Sequence, residues 1–394
     1  DVYKRQSLQH TYRHPPGGCA TRRKTARERR NPRFRVLSPV MAVADARRQA
    51  LIEIWNSAVA AVSGYAAVKN KLSADGDFIP ELVLAVGKAA VGMCQGALDN
   101  LPLCEALIVT KYDHADENIV ARAGVKVIEA GHPIPDQRSL DAGRALLDRM
   151  RAMPADSRVL LLVSGGASAL AEALPEDMTL TDLQALTDEM IAGGKTIAQI
   201  NSWRKQASLI KDGKLVEAFN GTEIRVYAIS DVEGDSISTI GSGIGDCHRA
   251  KVTARSAVIA SNQIAREHAV RKATELGLAV RQNEETLYGD VFDLVPAIGN
   301  RLRDAEPGVY IWGGEPTVVL PQNPGRGGRN QSLALAVSEQ LAGNNNISLL
   351  VAGTDGTDGP TIAAGGLVDG NTWGDDARLA LQHADAGTYL EQHD

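Results

Sequence analysis

The chain has 394 residues, 44% hydrophobic and only 4% aromatic, with 38 glycines and a formal net charge of −6. That length exceeds the size at which one core usually stops growing, so two domains are expected, and the balance of apolar and charged residues excludes disordered and fibrous classes. No apolar run reaches the length of a membrane span, no signal-like segment opens the chain, and its four cysteines (Cys19, Cys94, Cys104, Cys247) are too scattered for a disulfide framework or zinc knuckle; a cytoplasmic protein without a membrane partner is expected.

Residues 1–40 differ from the rest. They carry eleven Lys/Arg against Asp1 and Glu28, a net of +9, which leaves −15 for the remainder. Without apolar periodicity and with a Pro-Pro-Gly-Gly run, they cannot bury a face and are expected to be disordered. A nucleic-acid arm, a transit segment and translated sequence upstream of a start at Met41 compete as explanations. The acidic remainder, with helical character from Ala42, favours the last, and no nucleic-acid partner is expected.

From Met41 onward, apolar runs alternate with helix-like stretches. The strand candidates are LVLAV (82–86), ALIVT (106–110), VKVIE (125–129), RVLLLVS (158–164), IRVYAIS (224–230), VYIW (309–312) and ISLLVA (347–352). Near-continuous apolar strands separated by amphipathic segments such as SLDAGRALLDRM predict sheets buried on both faces, a doubly wound α/β architecture. A composition shift over 277–308 places the domain boundary, giving domains of 41–280 and 281–394.

Five strands end in small or acidic residues: GKAA (87–90), SGGAS (164–168), SDVEGD (230–235), GGEPT (313–317) and GTDGTDGP (353–360). Open α/β sheets bind ligands beyond the carboxyl ends of their strands, where glycines permit close backbone approach. A further run, GRGGRNQS (325–332), sets Arg326 and Arg329 among glycines directly before a helix-like LALAVSEQLA. Two guanidiniums beside a helix N-terminus suit phosphate; ion pairs across a domain interface explain them equally well.

Common phosphate and nucleophile motifs do not fit. A P-loop needs glycine where Glu189 precedes Gly194-Lys195 and where Leu82 precedes Gly87-Lys88. GSGIGD (241–246) has the wrong glycine spacing for a dinucleotide fingerprint, and GGASAL supplies no G-x-S-x-G elbow. Lysine, arginines, carboxylates and glycine loops remain, a set that serves phosphoryl transfer.

GKAA, GHPIPD (131–136), LLVSGGASAL, the spacing of Asn201, Arg204 and Lys205, ISDVEGD, GGEPTVVL, GRGGRNQ and AGTDGTDGPT occur in an order that resembles the glycerate 2-kinases, a family whose members sometimes carry the label hydroxypyruvate reductase. The resemblance runs from about Met41 to the last residue. It implies two three-layer α/β/α domains, the first Rossmann-like, with the active site in the cleft between them, and phosphorylation of D-glycerate by ATP with Mg²⁺, usually to 2-phosphoglycerate.

By the same resemblance, Lys88, Asp231 and Arg326 would be catalytic. Ser164, Gly165, Gly166, Ser168, Arg204, Gly313, Gly314, Glu315, Gly327, Gly328, Arg329 and Asp355 would bind substrate or phosphate, and Asp231 with Asp235 would hold Mg²⁺. Asp358 is a secondary candidate, and His132, between Gly131 and Pro133, is expected to position its loop. A nicotinamide-dependent reductase and a non-catalytic phosphate-ligand sensor are the rival readings. Oligomeric state is open, with a homodimer as the working expectation.

The chain departs from the family pattern at Ser242-Gly243-Ile244, at Trp203, Gln206 and Ala207, along KDGKLVE (211–217) and at Ile362. It also stops at Asp394, before the Gly-Pro-Thr-Gly-Thr-Asn-type segment usual in the family. A second domain truncated at its end, with an unpaired sheet edge, is therefore expected.

Overall fold

A computed structural model describes residues 39–195 and 197–393. The basic leader lies outside the described residues, as does Cys19, except that Pro39 and Val40 already belong to the first helix, Pro39–Val62.

Six strands build the first domain: β1 (Leu82–Val86), β2 (Glu105–Lys111), β3 (Val125–Ala130), β4 (Arg158–Val163), β5 (Glu223–Ile229) and β6 (Thr253–Ala260). All pair in parallel, in the order β3-β2-β1-β4-β5-β6. β1 and β4 are apolar because both faces are covered. Leu82, Leu84 and Val86 face one core with the helix Gln137–Arg151; Val83 and Ala85 face the other with the helix Ala90–Leu98. The order reverses between β1 and β4, and such a switch point leaves a crevice at the strands' carboxyl ends. The GKAA and SGGAS loops flank it.

The second group comprises β7 (Val280–Glu285), β8 (Gly289–Asp290), β9 (Val309–Gly313), β10 (Pro316–Thr317), β11 (Ser348–Ala352) and β12 (Gly365–Asp369). Among the described residues they pair in twos: β7 with β9 and β8 with β10 in parallel, β11 with β12 antiparallel. β9 and β11 are not joined; both line a cavity of about 210 Å³, together with Trp55, Ile298 and Leu333. The helices Val291–Arg303 and Arg329–Leu341 pack Ile298, Leu302, Leu333 and Val337 against Val368.

The helix Asn262–Glu275 joins this group. Ala265, Ala269 and Ala273 pack with Ile54 and Ala58 of the first helix and with Val280, Val309 and Ile311. The change of packing partner therefore falls just after β6, upstream of the boundary at 280 read from composition. The first helix is tied to the same domain, since Arg47 donates to the Asn345 carbonyl and Arg48 pairs with Asp369 at 3.4 Å. No single described helix is long and apolar enough to cross a membrane.

Candidate active site

The loops after β1 and β4 interlock. Gly87 has φ 129°, and a Cβ there would lie 2.2 Å from the Ser164 hydroxyl, so only glycine fits. The Lys88 amide donates to the Gly165 carbonyl (2.9 Å), the Ser164 amide to the Val86 carbonyl (3.0 Å), and the Ala89 amide to Ser164 Oγ (3.1 Å). Ser164 is buried, and its amide and hydroxyl both serve this seam, which holds the Lys88 loop in place.

Gly165 and Gly166 are different. Their amides donate to no described residue. A Cβ at Gly165 would fall 1.9 Å from Asp231 Oδ2, and one at Gly166 (φ 84°) would meet the His132 ring and Lys88 Cγ at 3.1 Å. Missing side chains thus let a carboxylate, a lysine and an imidazole converge on one turn. Ser168 lies just behind, its hydroxyl 2.8 Å from that of Ser242.

The charges extend across the cleft. Asp231 follows β5 and is reached by solvent, yet the cleft walls take it out of bulk water. That desolvation first, and the Glu315 charge second, hold its carboxyl above the ordinary range, while Lys88 and Arg329 pull the other way. Burial, then the Lys88 and Lys111 charges, push the His132 imidazole down to about 4, so it is neutral near pH 7. Lys111 ends β2 and is itself lowered by burial and by Lys88, with Asp355 opposing. Lys88, Lys111, His132 and Asp231 thus come from the first domain, and Glu315, Arg329 and Asp355 from the second. Lys111 is the member that sequence reading missed; its signal is its place at the end of the strand beside β1.

Arg329 donates to Glu315 at 2.8 Å. Arg326 is not brought to this group: its guanidinium pairs with Glu391 at 3.1 Å and its amide donates to Asp385. The two arginines therefore do not form one clamp, because Arg326 lies in the loop, three residues before the helix begins at Arg329, and shares no helical face with it. Nor is that helix N-terminus open to a ligand. The buried Asp358 carboxylate accepts from the Asn330 (3.1 Å) and Gln331 (2.8 Å) amides.

Other candidates have packing roles. A Cβ at Gly313 would overlap Asn262, at Gly314 Leu287, at Gly327 Gly387 and at Gly328 Asp358. Arg204 donates to Thr187 at 3.4 Å between neighbouring helices. Asp235 sits in a short 3-10 turn and acts on the Tyr288 phenol; it is absent from the charges that act most on Asp231. The carboxylate that acts on Asp231 across the cleft is Glu315. Among the described residues no group of three or more acidic, His or Cys side chains could hold a metal alone. Magnesium commonly takes one or two carboxylates and completes its shell with phosphate and water, and Asp231 with Glu315 fits that need.

Comparison with known proteins gives matches across both domains. Residues 50–275 match a domain of unknown function (DUF4147), and residues 308–394 match the MOFRL family. The glycerate 2-kinase of Pyrococcus horikoshii is 32% identical, the match covering 88% of this chain and 90% of that protein. A protein of Agrobacterium vitis named putative hydroxypyruvate reductase is 31% identical, over 82% of each. The crystal structure of glycerate kinase from Thermotoga maritima superposes with a TM-score of 0.80 at 28% identity, covering 89% of this chain and 94% of that one. With both domains matched in order, and the strand-end loops assembled on the same α/β frame, the chain belongs to the glycerate 2-kinase family.

Proposed function

We propose that this protein transfers the γ-phosphoryl group of ATP to the 2-hydroxyl of D-glycerate. The observation that carries the reading is the opposition of Lys88 and Asp231, at the switch point of one domain, to Arg329 and Glu315 of the other. Phosphoryl transfer asks for cations around the moving group and a carboxylate at the attacking hydroxyl. Asp231, with a raised affinity for protons, accepts the proton of the glycerate hydroxyl as its oxygen bonds to the γ-phosphorus and the bond to the ADP oxygen breaks. Lys88 and Arg329 neutralise charge on the transferred oxygens, Arg329 exchanging Glu315 for phosphate. The unpaired Gly165 and Gly166 amides are suited to hold one of those oxygens.

Glu315, with the oxygen of Asp231 that does not take the proton, would hold Mg²⁺, which would supply neutralisation of phosphate charge. A hydroxypyruvate reductase is the weaker reading. Where a dinucleotide fingerprint needs its second glycine, the loop after β1 has Ala89, whose amide is taken by Ser164.

The deciding experiment is ADP release by the protein with ATP, Mg²⁺ and D-glycerate, with phosphorus NMR of the product and a parallel trial of hydroxypyruvate with NADH. Glycerate-dependent ADP release with a 2-phosphoglycerate signal is expected. NADH oxidation without ADP release would replace the kinase by the reductase.

A further inference from the structure

Three adjacent parallel strands end in cationic or imidazole side chains. β1 and β2 keep register to Val86 opposite Val109, and the Gly87 amide extends the ladder by donating to the Val109 carbonyl at 3.1 Å. β2 then runs on to Lys111, which pairs with Ala130 of β3, and β3 leads within two residues to His132. Lys88, Lys111 and His132 therefore gather at the carboxyl edge of the sheet, where the His132 ring and Lys88 both come up against Gly166. Each acts on its neighbours, since Lys88 repels Lys111 and both disfavour a proton on His132.

Among the described residues neither Lys88 nor Lys111 has an ion pair or a side-chain hydrogen bond. The third cation of the group, Arg329, is committed to Glu315. Two ammonium groups beside a neutral imidazole are mutually repulsive, with Asp355 acting on Lys111 and Asp231 on Lys88 only through space, and an anion placed between them relieves that repulsion. In a glycerate kinase two anionic groups meet at the switch point, the phosphoryl group and the substrate carboxylate. Lys88 and Arg329 are the cations that act on Asp231, where the hydroxyl must react, and they fall to the phosphoryl group. Lys111 ends the strand one further from β5, and acts on both Lys88 and the His132 ring.

We infer that Lys111, assisted by the neutral His132 ring, binds the substrate carboxylate and so selects glycerate over uncharged polyols. The inference rests on the kinase reading, and it makes Lys111 a specificity-determining residue. The test uses the whole chain with Lys111→Met and Lys111→Arg, and compares D-glycerate with glycerol, which has hydroxyls but no carboxylate. For Lys111→Met, KM for D-glycerate should rise about thirtyfold, as expected for losing one charged hydrogen bond, with KM for ATP within about twofold. Activity on glycerol should be unmoved, so the preference for glycerate falls by the same factor, and Lys111→Arg should recover most of it.

A rise in KM for ATP instead, or an equal loss on both substrates, would overturn the inference and give Lys111 to the nucleotide or to the fold. A second readout does not depend on turnover. D-Glycerate added to the wild type should move the His132 ring signals in the NMR spectrum, and added to Lys111→Met should not. If the wild type binds glycerate in this way but transfers no phosphate, the carboxylate subsite stands and the kinase reading falls. If the wild-type His132 signals stay still while glycerate is phosphorylated, the subsite falls alone.

Discussion

Asp231 is the residue at which cleft electrostatics and chemistry meet. Desolvation and Glu315 raise its proton affinity, so the acid limb of the pH–rate profile belongs above the usual aspartate range. Glu315→Gln removes the like charge and frees Arg329 to act on Asp231; both changes lower that proton affinity. The limb in kcat/KM should therefore move to lower pH, whatever amplitude is lost, and a limb that stays or rises would separate Glu315 from Asp231. The same shift has a stability consequence. A carboxyl whose folded value lies above its unfolded one penalises folding once pH has passed the folded value, and the penalty vanishes in acid below 3.8. Asp231→Asn should thus raise Tm at pH 7 while abolishing turnover, and the gain should shrink as pH falls toward that range. Lys88, Gly165, Gly166 and Asp231 were legible in sequence because each sits at the end of an apolar run. Arg326 was not, since two arginines among glycines read alike in sequence, and only the fold shows that Arg326 turns to Glu391 while Arg329 turns to Glu315. Lys111 was not, because one lysine at a strand end looks like any surface lysine until its neighbouring strand is known.

Among the elements, the helix Arg329–Leu341 shows how a motif can be read correctly in type and wrongly in purpose. Its buried face and its start beside Arg329 were visible in LALAVSEQLA, and its N-terminal amides looked ready for phosphate. A loop almost thirty residues downstream supplies Asp358 instead, and sequence alone cannot show which carboxylate a chain will fold back onto its own helix. Asp358→Ala should leave two buried amides unpaired and cost about 2 kcal/mol, seen as a lower urea midpoint with unchanged slope. An unchanged midpoint would return those amides to solvent or ligand. Strands were legible in proportion to their burial. All seven apolar runs are strands, whereas β6, β7, β12 and the two-residue β8 and β10 escaped notice; TARSAVIA and VRQNEE are too polar to stand out because most of their residues stay partly exposed. A buried ion pair, Lys211 with Glu172, was equally invisible, because the two residues are brought together only by tertiary packing.

At the scale of the whole molecule, charge distribution makes a kinetic prediction. The chain carries a formal −6, and −15 once residues 1–40 are set aside, so a nucleotide polyphosphate is repelled at long range. Lys88, Lys111 and Arg329 are gathered at one crevice between two domains, where low-dielectric walls concentrate their field. Attraction of this kind acts through solvent and is screened over about 10 Å at 0.1 M salt. Raising NaCl from about 0.02 to 0.5 M at fixed Mg²⁺ should lower kcat/KM for ATP by roughly tenfold, most steeply at the dilute end. Lys88→Met should flatten that dependence. Lys251→Met removes the same charge from a surface ion pair with Glu217 and should leave the slope as it was. Equal slopes in the two variants would mean that the overall charge, and not the crevice, governs the approach of ATP; a flatter slope for Lys88→Met alone would make the switch-point loop the place where the nucleotide's charge is first felt.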